Sequence, residues 1–207
     1  MNMDFTTPRA RETVEKTIAQ LAEHNYHAEI AANKEEALAR IQELIPAGAS
    51  INNGASTTLQ EIGLVEYLKS GGHGWNNLHE AVLAETDPEK QSHLRKEATM
   101  AEYYLGSAHA ITEDGQIVVA SNTGSQLPPL AYTSANIILV VGTQKIVKDL
   151  NEAFDRIQTH VVPLEDTRMI GQYGYGTTYA KTLILHKENP AMGRMVRVIF
   201  VEEALGF

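Results

Sequence analysis

The first residues that could do chemistry lie between a hydrophobic run and a helix, in the stretch INNGASTTLQEIG at residues 51–63. Glycine allows the backbone to approach a ligand closely, hydroxyl groups donate hydrogen bonds, and a helix N-terminus presents unpaired N–H groups. Together these features suit a carboxylate or a phosphate. The candidate ligands are Asn53, Gly54, Ser56, Thr57 and Thr58. The alternative is that Ser56 or Thr57 simply caps the helix, and the stretch alone favours neither interpretation.

A second turn of the same character follows a β-rich run in ASNTGSQLPPLAY, residues 120–132. Its Asn122, Thr123, Gly124, Ser125 and Gln126 repeat the small and polar residue types of the first turn. In open α/β sheets, ligands bind beyond the carboxyl ends of the strands, so we expect the two turns to face one cleft. The alternative is a pair of unrelated turns.

A third candidate segment is VVGTQKI, which contains Gly142 and Lys145 and ends the most apolar run of the chain. Lys145 could supply a fixed positive charge near the cleft. It could equally be an ordinary surface lysine at the start of a helix.

Two glutamates are the candidate groups for proton transfer, and so the candidate catalytic residues. Glu61 follows Thr57 by one helical turn and could therefore face the same cleft. Glu113 precedes Asp114-Gly115, a strong signal for a tight hairpin turn, and could point inward from it. Each is also compatible with a solvated surface carboxylate.

The order of the elements predicts an α/β fold with a largely parallel central sheet flanked by helices and with a β-hairpin insertion. Helical patterns occupy residues 6–26, 33–48, 59–72 and 144–160, and strand patterns occupy 26–32, 49–52, 136–142 and 194–207. Thr7 and Pro8 suit the start of the first helix, and Asn33 with Glu36 forms a capping box for the second. The NIILVVG run predicts a strand buried on both faces.

Composition narrows the function classes. The 207 residues suit a single domain over 1–207, and a net charge of −9 argues against nucleic acid or an anionic membrane as partner. The chain has no cysteine, which excludes disulfides and thiolate metal sites, and its histidines form no recognised metal-ligand pattern. No apolar run is long enough to span a membrane and no signal peptide is evident, so we expect a cytoplasmic location. The cofactor stays unknown.

Four stretches taken together resemble the lactate utilization domain (LUD) family. They are NNGASTTLQEIGL, AEYYLGSAHAITEDGQIVVASNTGSQLPPLAY, NIILVVGTQKIVKDLNEAFDRI and the closing RVIFVEEALGF. They occur in the family's order, and the resemblance covers about residues 8–207. It implies a NagB/RpiA/CoA transferase-like fold, as in ribose-phosphate isomerases, whose members bind phosphates or carboxylates after parallel strands.

The resemblance also implies a function. It points to a protein of lactate or related small organic acid utilization that binds a small anionic metabolite, works beside iron–sulfur protein partners of a lactate oxidation system, and is compatible with a homodimer. The alternatives are an isomerase or an acyl or CoA transferase with Glu113 as nucleophile, and a non-enzymatic accessory or regulatory subunit. Several family members carry a cysteine-rich segment where this chain has residues 171–194, so a metal or redox role of that segment is in doubt here.

Overall fold

The computed structural model describes residues 4–207, so residues 1–3 of the predicted domain lie outside the described part. The helices are α1 (Arg11–Glu23), α2 (Lys34–Leu44), α3 (Thr57–Glu61), α4 (Leu64–Lys69), α5 (Leu78–Ala84), α6 (Pro88–Glu97), α7 (Leu150–Arg156) and α8 (Val162–Tyr173). The strands are β1 (His27–Ala31), β2 (Ser50–Asn53), β3 (Asn76–Asn77), β4 (Tyr103–Gly106), β5 (Ala110–Thr112), β6 (Ile117–Ser121), β7 (Asn136–Gly142), β8 (Ile146–Val147), β9 (Lys181–Leu185) and β10 (Met195–Val201). The α/β fold predicted from the sequence is confirmed.

The central sheet has six strands in the order β1-β10-β7-β4-β2-β3, and every pairing is parallel. Strand β7 lies in its middle and is buried on both faces, as its apolar run predicts. Ile138 and Val140 pack on one face against α2, α3 and α4, while Ile137 and Leu139 pack on the other. Alternate side chains of one strand therefore serve two separate hydrophobic clusters.

A second sheet of four strands, in the order β8-β5-β6-β9, covers the other face of the central sheet. It is built around the predicted hairpin of β5 and β6, whose turn carries Gly115 at φ +86°. Strand β9 extends the hairpin by antiparallel pairing with β6. The sequence reading did not predict β9, so the hairpin is the core of a small sheet and not an isolated insertion.

Local capping decides the helix boundaries. Asn33 caps α2 as predicted, because its side chain accepts a hydrogen bond from the Glu36 N–H at 2.9 Å. The predicted start of α1 at Thr7 and Pro8 is wrong, because α1 begins at Arg11. The Asp4 carboxylate instead accepts the N–H groups of Thr6 and Thr7, which holds this segment in a turn before the helix.

The single helix predicted over 59–72 is two short helices. Gly63 separates α3 from α4 and has φ +82°, a backbone conformation outside the α-helical region. The break lets α3 end directly above the central sheet, where Leu59 and Ile62 are buried. The turn before α3 is thereby fixed at the carboxyl end of β2.

Candidate functional site

One pocket of about 560 Å³ opens at the carboxyl ends of β2 and β4. Its walls are formed by the turn between β2 and α3, by α4 and α5, and by the segment between β4 and β5. The end of β6 with the turn that follows, Lys145, and α8 with the chain after it complete them. Residues of the first two sequence-predicted turns therefore line the same pocket. The six-stranded sheet supplies its floor and the smaller sheet one of its sides.

Lys145 lies at the buried end of the pocket. It sits in a single helical turn directly after β7, its side chain is only 3% exposed, and it is not a surface lysine. Its Nζ donates hydrogen bonds to Thr58 Oγ1 at 2.9 Å and to Ser107 Oγ at 3.3 Å. Lys145 takes part in none of the ion pairs formed within residues 4–207. A buried ammonium group therefore has two neutral hydroxyls and no carboxylate as partners.

The surroundings make this charge unfavourable. Burial, followed by the positive charge of Arg156, lowers the pKa of Lys145 to about 7, and the Glu61 carboxylate opposes the shift. Arg156 is itself fully buried and donates to the His109 carbonyl at 2.6 Å. An anion placed beside Lys145 would supply the missing counter-charge.

The first turn combines capping with pocket lining. The Ser56 hydroxyl accepts the Leu59 N–H at 3.3 Å and so caps α3, as the alternative interpretation predicted. Thr58 accepts from Lys145, and Thr57 lines the pocket. Asn53 is 7% exposed and lines the pocket, yet its Oδ1 has no hydrogen-bond partner within residues 4–207. Gly54 lies so close to Tyr104 that a Cβ there would be 2.8 Å from the tyrosine oxygen.

The second turn contributes less than the sequence predicted. Asn122 and Gln126 line the pocket, together with Ser121, which the sequence analysis had not named. Thr123 and Ser125 are not among the lining residues, and their hydroxyls hydrogen-bond to each other at 3.1 Å. Gly124 also lies outside the pocket, where it allows a φ of +90° next to the Lys181 side chain.

Neither candidate glutamate lines the pocket. Glu61 accepts the Gly206 N–H at 2.7 Å and so fastens the C-terminal segment beside Lys145. Glu113 lies in the hairpin turn, where its N–H donates to the Val147 carbonyl and its neighbour Gly115 contacts α1. Gly142 also stays outside the pocket and instead allows residues 203–205 to pass close to β7.

Sequence reasoning missed His109, which lines the pocket two residues after Ser107. Its Nδ1 accepts the Ala120 N–H at 3.1 Å, so the proton of the neutral ring is on Nε2. Burial, with the nearby charges of Lys145 and Arg156, lowers the pKa of His109 to about 3. The pocket therefore contains a neutral imidazole that offers one N–H donor at every physiological pH. In the sequence, the only indication of this role was the position of His109 between two strands.

The outer part of the pocket is formed largely by α8 and the chain that follows it. Arg168 forms a two-point ion pair with Glu165, with both contacts at 2.7 Å, and also donates to Gln172. Tyr173 and Tyr179 line the same region.

Within residues 4–207 there is no group of three or more histidine, aspartate or glutamate side chains that could hold a metal ion, and no helix is long and apolar enough to cross a membrane.

The comparisons with protein families and with solved structures each give a match, and the comparison with curated proteins gives none. The profile of the LUD domain matches residues 14–196. The chain belongs to the LUD domain family. The fold is similar to that of a DUF162 family protein from Deinococcus radiodurans, with a TM-score of 0.54 and 16% identity over 94% of this chain and 99% of the other. No curated protein matches the sequence.

Membership of the LUD domain family relates the protein broadly to lactate utilization. The matched range includes both turns, Lys145, His109 and α8, so the whole pocket apart from Phe207 lies within the LUD domain. At 16% identity, the likeness to the solved structure concerns the fold alone.

Proposed function

We propose that this LUD domain protein binds an organic anion at the Lys145 end of the pocket, through the carboxylate or phosphate group of that anion. We propose that this binding serves the utilization of lactate or related small organic acids. The observation that carries the proposal is the buried Lys145 ammonium, which has no carboxylate partner among residues 4–207. A charge in that position is unfavourable when alone and favourable beside an opposite charge.

The groups around Lys145 suit the rest of such a ligand. Ser107 and Thr58 hold the ammonium group in place, and His109 offers a neutral N–H donor to a ligand oxygen. Asn53, which also lines the pocket, adds a side-chain amide to this end. A catalytic carboxylate at Glu61 or Glu113 finds no support in this arrangement, so the proposal concerns binding.

Binding is tested by thermal unfolding with lactate, pyruvate and inorganic phosphate, each compared with sodium chloride at equal ionic strength. A ligand at a hundred times its dissociation constant stabilises the folded protein by about 2.7 kcal/mol. For a domain of this length we therefore expect the melting temperature to rise by roughly 5–10 °C. If no carboxylate or phosphate raises it above the chloride control, the proposal is wrong.

The affinity for lactate should depend on pH with a defined sign. Free Lys145 loses its proton near pH 7, and a bound anion favours the protonated form, so the pKa of Lys145 is higher in the complex. Affinity is then highest below pH 7 and falls by up to about tenfold per pH unit above it. His109, with its pKa near 3, does not titrate in this range.

Isothermal titration calorimetry between pH 6 and pH 9 measures this slope, and buffers of different ionisation enthalpy report the proton taken up. Lactate itself stays ionised throughout, so the slope comes from the protein. The fixed charges near Lys145 are those of Arg156 and Glu61. A flat profile with no proton uptake would show that Lys145 does not face the anion.

A further inference from the structure

The pocket is larger than a three-carbon acid requires. Such an acid has six non-hydrogen atoms, and even at the roughly 30 Å³ that one water molecule occupies in the liquid it would take up about 180 Å³. This is about a third of the 560 Å³ available. A volume of this size is typical of sites for drug-sized ligands. The remaining space needs an occupant of its own.

The walls change character along the pocket. The buried end carries the polar groups of Lys145, Asn53 and His109, whereas the outer walls formed by α4, α5 and the α8 region include apolar and aromatic side chains beside the charged side chains of Lys69, Glu80, Glu165 and Arg168. The apolar and aromatic members of this outer region are Val65, Leu68, Leu83, Val161, Tyr173 and Tyr179. An acidic group fits the first region and an apolar body fits the second.

Two of the outer side chains are unusually exposed for their type. Leu83 is 67% exposed and Tyr173 is 53% exposed, and both line the pocket. The ring of Tyr173 already stacks on the ring of Tyr175, with centroids 6.0 Å apart and planes 30° apart. The guanidinium group of Arg168, held flat against Glu165, lies in the same wall. Flat aromatic and guanidinium faces are the surfaces on which planar rings stack.

We propose that the natural ligand is an anion carrying a planar aromatic body, with its acidic group beside Lys145 and its ring against Tyr173. The inference rests on the proposed function, because it assigns the acidic group to the same end of the pocket. It goes further in naming the ligand class: a ring-bearing phosphate or carboxylate, such as a nucleotide, in place of a free three-carbon acid.

The test is a graded series of ligands that share one phosphate: inorganic phosphate, ribose phosphate, adenosine monophosphate and flavin mononucleotide. Titration calorimetry gives the affinity of each for the wild-type protein. Stacking of a base on an aromatic side chain is worth about 1–3 kcal/mol, so we expect the ring-bearing ligands to bind roughly 5- to 150-fold more tightly than ribose phosphate.

The variant Tyr173→Ala should remove this advantage and leave the affinity for ribose phosphate unchanged. Tyr132→Ala is the matched control, because Tyr132 is 71% exposed but does not line the pocket. The inference is overturned if ribose phosphate binds as tightly as the ring-bearing ligands, or if Tyr173→Ala weakens all ligands equally. Failure of the proposed function looks different, since then no member of the series binds and replacing Lys145 changes nothing.

Discussion

Replacing Lys145 by methionine should weaken anion binding by roughly 30-fold or more while leaving the protein at least as stable as the wild type. The Nζ of Lys145 is the buried positive charge at the inner end of the pocket, and its partners in the described part of the chain are two hydroxyl groups. Removing one member of a buried charge pair typically costs 2–5 kcal/mol of binding free energy, or roughly a 30-fold loss of affinity or more. Methionine has a similar length and no charge.

Most substitutions in a protein core lower the stability, but we do not expect Lys145→Met to lower it. In the unliganded protein, protonated Lys145 is buried and forms no ion pair within residues 4–207, and replacing such a group by an apolar one of similar volume is often neutral or stabilising. We therefore expect the melting temperature without ligand to stay the same or rise. Thr58 and Ser107 lose an ammonium partner, which limits the gain.

Lys148→Met is the matched control, because Lys148 is exposed, lies three residues further on and does not line the pocket. It removes the same charge from an acidic protein without touching the site. Titration calorimetry with lactate and phosphate, and thermal unfolding without ligand, are measured on both variants. If Lys145→Met binds as the wild type does, or if Lys148→Met loses affinity equally, the anion is not held by Lys145.

The parts of the fold that were predicted correctly are those in which local sequence and tertiary packing require the same structure. The apolar run of β7 is long enough to serve both faces of a sheet, and the Asn33 cap and the Asp114-Gly115 turn are determined by near neighbours. Strand β9 was missed because its signal is not local. Its side chains are only partly buried, and its pairing with β6 joins segments about sixty residues apart in the chain.

The candidate site shows the same difference between features with a local sequence signal and features without one. The turn between β2 and α3 was predicted from its composition, and residues from it and from the second turn line one pocket. His109 was missed because its role depends on a hydrogen bond from the Ala120 N–H across the hairpin, and a single histidine in a sequence gives no such information. Glu61 was placed near the correct region, but its carboxylate binds the Gly206 N–H, which is 145 residues away. Contacts of this kind depend on how distant segments of the chain come together in the fold, and residue spacing does not predict them.

Replacing Gly142 by alanine should lower both stability and anion affinity, unlike the Lys145 variant. An added Cβ would lie 2.7 Å from the Glu203 carbonyl oxygen and 2.8 Å from the Leu205 nitrogen, and would also contact Gln144 Oε1. The Gln144 side chain can move, but the two backbone atoms belong to the segment that follows β10. Overpacking of this kind typically costs about 1–3 kcal/mol.

The loss of affinity follows from what that segment holds. The Leu205 carbonyl accepts hydrogen bonds from Gln144 Nε2 at 2.9 Å and from Thr58 Oγ1 at 3.4 Å, and Thr58 is in turn a partner of Lys145. Moving Leu205 away from β7 therefore removes a constraint on the hydroxyl that positions the ammonium group. We expect a weaker affinity for lactate and phosphate, with the pocket still present.

Gly171→Ala is the control, and we expect it to raise the stability, whereas Gly142→Ala should lower it. Gly171 lies within α8 and a Cβ there would meet nothing within 4 Å, so alanine should stabilise the helix by about 0.5–1 kcal/mol. Thermal and urea unfolding of both variants, with titration calorimetry for binding, distinguish the two effects. If Gly142→Ala is as stable as the wild type, residues 203–205 do not pack against β7 as described. If it is destabilised but binds with full affinity, the C-terminal segment supports the fold without positioning Lys145.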